Sequence, residues 1–371
     1  MKNGSTTKSG ESANPAPASL KSIAQHLGLS KATISAVIND APPARTIPQE
    51  TKDRIFKAVE ELHYRPNYMA RSLRQKRSFT IGILVPEVSE GYNASVIAGI
   101  EDQLAKSGYL YYVASHRNRP ELVEKYPRRL MERAVEGFIL VNTPPPPGIS
   151  LPMVTVGGER RAPNICNIIL DHPKGCRIAM EHLAALGHKE VAFFKGHPGS
   201  ADTELRWNSI CEAAHDLGIA VQDELWIQLR GLTGGLPEAS TSEEGYVYAQ
   251  RLLARKKHFT ALFAFNDMSA IGAASAFRDS GLKLPQEVSV IGFDDIPSAS
   301  FQNPRLTTVR QPLHKMGVLA ASSLLERIAN PGKGPERILV EPELVVREST
   351  CAIEHARPSV ARRSRRAVVA G

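Results

Sequence analysis

The chain has 371 residues, of which 42% are hydrophobic and 23% charged, with 46 Lys+Arg against 38 Asp+Glu and a formal net charge of +8. At roughly 150 residues per domain this length predicts two or three domains with a sizeable core, which excludes wholesale disorder. No apolar run reaches the ~20 residues of a membrane helix, and the N-terminus has no apolar segment of a secretory signal, so a cytoplasmic protein is expected.

The charge is unevenly placed. Residues 1–80 carry 13 Lys/Arg against 6 Asp/Glu, and residues 352–371 carry 5 Arg against 1 Glu, while the long body between them is slightly acidic. A localised basic segment suits a polyanion partner. The four cysteines, Cys166, Cys176, Cys211 and Cys351, show no CxxC spacing and read as free thiols rather than a disulfide framework or a zinc site.

Residues 1–18 are rich in Ser, Thr, Gly, Pro and Ala, lack periodicity and read as disordered. Leu20, Ile23, Ala24 and Leu27 then have helical spacing. Gly28 permits a tight turn, and Ser30 is placed to cap a second helix with apolar positions Ile34, Val37 and Ile38. Two short helices joined through a glycine make a helix-turn-helix candidate. A Pro-rich loop follows. Ile55, Val59 and Leu62 then mark a third helix, with Pro48 acceptable in its first turn. Residues 19–64 thus form a small basic all-helical domain. Residues 65–78, RPNYMARSLRQKRS, are basic and too short to stand alone as a helix, and read as a linker that folds against a partner.

From Phe79 the pattern changes. Short β-rich runs, among them 79–86, 109–115, 135–142, 152–158, 164–171, 190–196, 258–267 and 288–295, alternate with amphipathic helical segments, one of them (122–134) interrupted by Pro127. This alternation predicts two doubly wound parallel sheets, with ligands bound beyond the carboxyl ends of the strands. Asn266 and Asp294 end two such strands. Asp and Asn can accept from and donate to vicinal hydroxyls. Asp267 and Asp295 read as caps of the following helices. Asp171, which ends the strand NIIL, is a further candidate. No GxGxxG follows the first strand, and there is no GxSxG or P-loop. His172, His182, His188 and His197 form no i, i+4 metal pair and read as surface or cap residues. No enzyme activity, cofactor or metal is expected.

The run SLKSIAQHLGLSKATISAVIN, followed by LHYRPNYMARSL, IGILVP, EHLAALGHKEVAFFKG, FAFNDMSAIGA, VSVIGFDD and LTTVRQPLHKMG, resembles the lactose repressor and galactose repressor family over about residues 19–350. The resemblance implies a DNA-binding headpiece (19–64), a hinge helix (65–78) and a periplasmic-binding-protein-like effector and dimerisation domain (79–351). One effector subdomain would comprise about 79–186 and 311–332, the other about 187–308 and 335–350, before a basic tail at 352–371. It implies base contacts from Leu20, Lys31, Ala32 and Ala36. Two of these alanines offer apolar contact alone, which leaves Lys31 as the main polar reader. Phosphate contacts are implied for Ser19, Ser30, Thr33, Ser35, Asn39, Thr51, Asn67 and Arg71, and a minor-groove wedge for Leu73 with Ala70 before it. The loop at 40–48 is a few residues longer than the family's. Effector contacts are implied for Arg206, Asn266, Asp294, Asp171 and Gln311. The family's N-P-F-F is absent after the first strand, and Tyr92, Glu87 and Asn93 stand there instead.

The expected function is a homodimeric transcriptional repressor on near-palindromic operator DNA, nucleoid-associated when bound. It would answer to a small effector, a sugar or sugar derivative first and a purine second. The alternatives are a sugar-binding protein of a transport system and an α/β enzyme with a fused DNA domain.

Overall fold

The structure is a computed structural model that describes residues 19–39, 41–64, 72, 77–88, 91–159, 165–230 and 242–353. The chain divides into two compact units, 1–77 and 78–371.

In the first unit, helices α1 (Leu20–Leu27), α2 (Lys31–Ile38) and α3 (Gln49–Glu61) close over Ile23, Ile34, Val37, Ala44, Ile55 and Ala58. Local chemistry sets the helix boundaries. The Ser19 hydroxyl accepts from Ser22 N and Ser22 answers in a capping box, while Ser30 caps α2 by accepting from Thr33 N at 3.0 Å. Gly28 closes α1 in the left-handed region (φ 68°), where a side chain would be strained. Pro48 is the residue before α3 rather than part of its first turn. The Pro-rich loop is also ordered differently from expectation. Pro42–Thr46 form a 3-10 turn that buries Ala44 in the core.

The second unit holds two six-stranded sheets. Strands β1 (Thr80–Val85), β2 (Leu110–Ser115), β3 (Phe138–Val141), β4 (Met153–Val156), β5 (Ile165–Leu170) and β11 (Glu336–Val340) form the first, in the order β11-β5-β4-β3-β1-β2. Strands β6 (Val191–Lys195), β7 (Trp226–Gln228), β8 (Ala261–Phe263), β9 (Ser289–Asp294), β10 (Thr307–Arg310) and β12 (Glu343–Val345) form the second, in the order β12-β10-β9-β8-β6-β7. All pairings are parallel except β10 with β12. The central strands are buried along their whole length, as strands covered by helices on both faces must be.

Seven helices, α4 (Tyr92–Lys106), α5 (Pro120–Met131), α6 (His172–Ala185), α7 (Thr203–Asp216), α8 (Ser242–Ala254), α9 (Asp267–Asp279) and α10 (Leu313–Ala329), cover the sheets. Pro127 is accommodated inside α5 without ending it. α4 and α10 cross so closely that a Cβ on Gly99 would stand 2.0 Å from His314 O.

Two of the expected lobe boundaries are wrong. The resemblance places helix α6 in the first lobe. Its Cys176, Ala179, Met180 and Leu183 instead share a core with Phe193 and Val309 of the second, so the chain crosses over at Asp171. The resemblance places residues 335–340 in the second lobe, but β11 pairs along its whole length with β5 in the first. The chain therefore passes between lobes three times, near 171, 311 and 341. Strands β7, β10, β11 and β12 and helix α8 have no counterpart in the sequence reading. Ser242–Glu244 begin α8. No helix among the described residues is long and apolar enough to cross a membrane. All four cysteines carry free thiols.

Candidate functional site

On the helix-turn-helix, Lys31 and Ala32 are exposed at the start of α2, and Thr33 and Ala36 are partly so. Ser30 Oγ and Thr33 Oγ1 lie 2.8 Å apart at the exposed cap, and Ser19 is exposed at the start of α1. Thr51 is half-buried in α3. Two residues expected at phosphates are engaged within the domain itself. Ser35 is only 6% exposed, because it lies on the face that packs inward with Ile34 and Val37. Asn39 turns its amide back onto Ser35, donating to the carbonyl at 2.7 Å, so it closes the end of α2. Leu20 and Ala36 are both partly buried against the domain's own core. Asn67, Ala70, Arg71 and Leu73 lie outside the described residues.

In the second unit, a cavity of about 580 Å³ opens between the two lobes, where loops leave the carboxyl ends of the strands. Arg206, Asn266, Asp294, Tyr92 and Glu87 all line it. Arg206 is buried on α7. Its guanidinium lies 3.8 Å from the Phe293 ring centroid and 4.3 Å from that of Phe265, and it donates to the Phe265 carbonyl. Two aromatic contacts and a backbone acceptor fix the plane of the group. Its Nε has no hydrogen-bond partner among the described residues.

Asp294 ends β9 with φ 121°, a conformation that ordinary residues avoid. Burial pushes its carboxyl up to about 7, against the opposing pull of Arg206 and Gln311. Gln311 does not line the cavity. It stands behind Asp294 and donates Nε2 to Oδ1 at 2.6 Å. Across the cleft, Glu87 accepts from Asn93 Nδ2 at 3.1 Å, while Tyr92 Oη and Asn93 Oδ1 are buried without a hydrogen-bond partner among the described residues. Burial holds the Tyr92 phenol well above its usual range, so it is a donor.

Other expected roles change. Asp171 is not in the cavity. Its carboxylate caps α6, accepting from Lys174 N. The cap of α9 is Asn266, whose Oδ1 accepts from Ser269 N. Asp267, expected to be that cap, is buried and binds Ile296 N and the Thr308 hydroxyl instead. Asp295 is no cap either, and accepts from Arg310 and Arg347 at 2.6 Å each. His172 and His188 are buried rather than on the surface.

Sequence reasoning missed Asp202, Phe265 and Phe293. Asp202 follows HPGS, the loop beyond the carboxyl end of β6, and that position was the available signal. The two phenylalanines gave none, since apolar strand-end residues look like core. Among the described residues no cluster of His, Cys, Asp and Glu could hold a metal.

This architecture has relatives. Residues 19–67 match the family described as bacterial regulatory proteins, lacI family, and residues 180–350 match the periplasmic binding protein-like domain. The HTH-type transcriptional repressor PurR of Haemophilus influenzae is 30% identical over 348 residues, which is 91% of this chain and 99% of that protein. The chain belongs to the lacI family. Its first unit is a DNA-binding headpiece and its second an effector-binding domain of the periplasmic-binding-protein type. The lac repressor dimer bound to operator and the anti-inducer ONPF shares the fold, with a TM-score of 0.79 at 24% identity over 91% of this chain and 100% of that one. A LacI family regulator from Enterococcus faecium with bound ribose has a TM-score of 0.64 at 26% identity over 73% of this chain and 98% of that one. The family consists of transcriptional regulators.

Proposed function

We propose that this lacI-family repressor acts in the cytoplasm as a homodimer on near-palindromic operator DNA, without catalytic activity, and that a small uncharged ligand in the interlobe cavity sets its operator affinity. The observation that carries the reading is Arg206, held in plane on two phenylalanine rings beside Asp294 in a 580 Å³ cavity between lobes that three chain crossings join. A ligand that bridges such lobes shifts the angle between them, and the headpieces read that angle.

A sugar or sugar derivative fits the site best. Arg206, Asn266 and Asp294 line the cavity together, and such a set accepts from and donates to the vicinal hydroxyls of a polyol. A second reading, a purine, is favoured by the full-length relatives named PurR. The roles of Lys31, Ala32 and Ala36 at bases, of Ser19, Ser30, Thr33, Thr51, Asn67 and Arg71 at phosphates, and of Leu73 with Ala70 as a wedge rest on the sequence resemblance.

The test selects an operator from random duplex with the purified chain, then titrates sugars, sugar derivatives and purines into the complex. One class should change operator affinity in the wild type and leave Arg206→Ala unmoved, while the variant keeps its unliganded operator binding. Loss of DNA binding in folded Arg206→Ala would overturn this division of labour.

A further inference from the structure

Asp202 joins the two lobes. It immediately precedes α7 in the second lobe and is buried in the cleft wall. Its Oδ1 accepts the backbone N–H of Gly158 at 2.9 Å, and Gly158 follows β4 in the first lobe. The lobes meet tightly there. Gly158 has φ 73°, and a Cβ on it would stand 2.3 Å from Ala201 Cβ, so a larger residue would push the two walls apart.

The same carboxylate oxygen lies 3.3 Å from His172 Nε2. His172 is buried, and its Nδ1 has no partner among the described residues, so the ring commits its polar contact to Asp202. The ring also stacks on Phe293, with centroids 5.9 Å apart and planes 24° from parallel. Phe293 in turn carries Arg206, whose charge acts on Asp202. The joint between the lobes and the ligand arginine therefore share one aromatic ring and one carboxylate.

We infer that Asp202 is the residue that positions the first lobe on the second, with Gly158 N–H as its catch and His172 as its anchor, and that a ligand on Arg206 acts on the lobe angle through it. The second half of this inference rests on the cavity being the effector site. The first half stands on the geometry alone. A buried carboxylate that receives a backbone N–H and an imidazole N–H makes charge-assisted hydrogen bonds, which are stronger than neutral ones. No other residue in the wall is needed to hold Gly158 N–H, because Asp202 Oδ1 meets it directly.

The experiment is hydrogen exchange on the full chain without ligand, read at the Gly158 amide. In the wild type this amide should be protected. Asp202→Ala should speed its exchange on the order of tenfold or more while amides of β1 and β9 stay protected. Asp202→Asn keeps an oxygen acceptor without the charge and should exchange more slowly than the alanine variant. Asp202→Ser, whose hydroxyl is too short to reach Gly158, reports the same opening at less cost to the fold should the alanine variant unfold. Unchanged Gly158 exchange in whichever of these folds, or equal opening in Asp202→Asn, overturns the inference. The same variants are then titrated against wild-type-selected operator. A shift in affinity with the wild type binding supports the coupling, and no shift overturns it. Failure of the wild type itself to bind any duplex would instead count against the proposed function, with the Gly158 result standing by itself.

Discussion

Asp294 Oδ1 accepts a hydrogen bond from Gln311 Nε2 at 2.6 Å, and Gln311 begins the segment by which the chain leaves the second lobe for the first. The main chain repeats the link, since Gln311 N donates to Asp294 O. A cavity residue is thus tied twice to a crossing between the lobes. The bond is a direct route by which a change of charge or contact at Asp294 reaches the hinge.

That relationship gives a pH dependence. Burial raises Asp294 to about 7, and burial together with the Asp294 charge raises Asp267 well above the ordinary carboxylate range. Both pKa values lie higher in the folded than in the unfolded chain, so the folded state binds the protons more tightly. The stability that Asp294 contributes is complete below the unfolded value of about 4 and is lost as pH rises through about 7, and that of Asp267 is likewise lost only well above the ordinary carboxylate range. Urea midpoints of the unliganded protein should fall from pH 5 to pH 8. Asp294→Asn, which keeps the acceptor for Gln311, should flatten part of that fall. A variant profile as steep as the wild type would contradict the assignment.

The crossing of α4 and α10 predicts a stability effect far from the cavity. A Cβ on Gly317 would stand 2.1 Å from Val96 O, and both contacts at this crossing are with backbone, which cannot swing aside. Gly317→Ala should cost about 2–3 kcal/mol in urea denaturation. Gly332, with nothing within 4 Å of a Cβ, is the control, and Gly332→Ala should be near neutral.

On the headpiece, exposure separates reader from scaffold. Lys31→Ala should weaken specific operator binding by about 1–3 kcal/mol and relax preference at one base pair. Ser35→Ala, at a buried position, should lower the headpiece melting temperature without changing the salt dependence of duplex binding. Leu73→Ala should weaken operator binding more than nonspecific binding. Equal losses on both would remove the wedge role. Gel-shift titrations at several salt concentrations read all three.

Self-association should run through apolar surface left exposed on the second unit. Phe301 is 86% exposed, and Leu110, on the edge strand β2, is 65% exposed. Buried against a second copy these side chains are favourable, and in water they are not. Phe301→Ser combined with Leu110→Ser should shift the protein toward monomer in sedimentation velocity at micromolar concentration. An unchanged dimer would place the interface elsewhere.

The headpiece was legible because its signals are local. Helix period, the Ser30 cap and the Gly28 turn each act within four residues. The alternation of apolar strands and amphipathic helices was legible for the same reason, and with it the rule that strand carboxyl ends build the cleft. That rule led to Asn266 and Asp294, and both line the cavity. It failed for Asp171, which also ends a strand but whose carboxylate is taken up by the N–H groups of the helix it starts.

Everything that depends on which face meets which partner was decided only by the tertiary structure. Periodicity shows that α6 has an apolar face, but not that this face packs on Phe193 and Val309 of the second sheet. Nor does the sequence show that β11 returns to β5, that Ser35 turns inward, or that Phe265 and Phe293 carry Arg206. The contact of Asp202 with Gly158 spans 44 residues and two lobes. Propensity and capping are summed along the chain, whereas burial and the pairing of buried polar groups are settled only when distant segments compete for the same space. The sequence therefore determined a DNA-reading headpiece, two wound sheets and the cleft's arginine and aspartate. The packing decided how the lobes are joined and which carboxylate joins them.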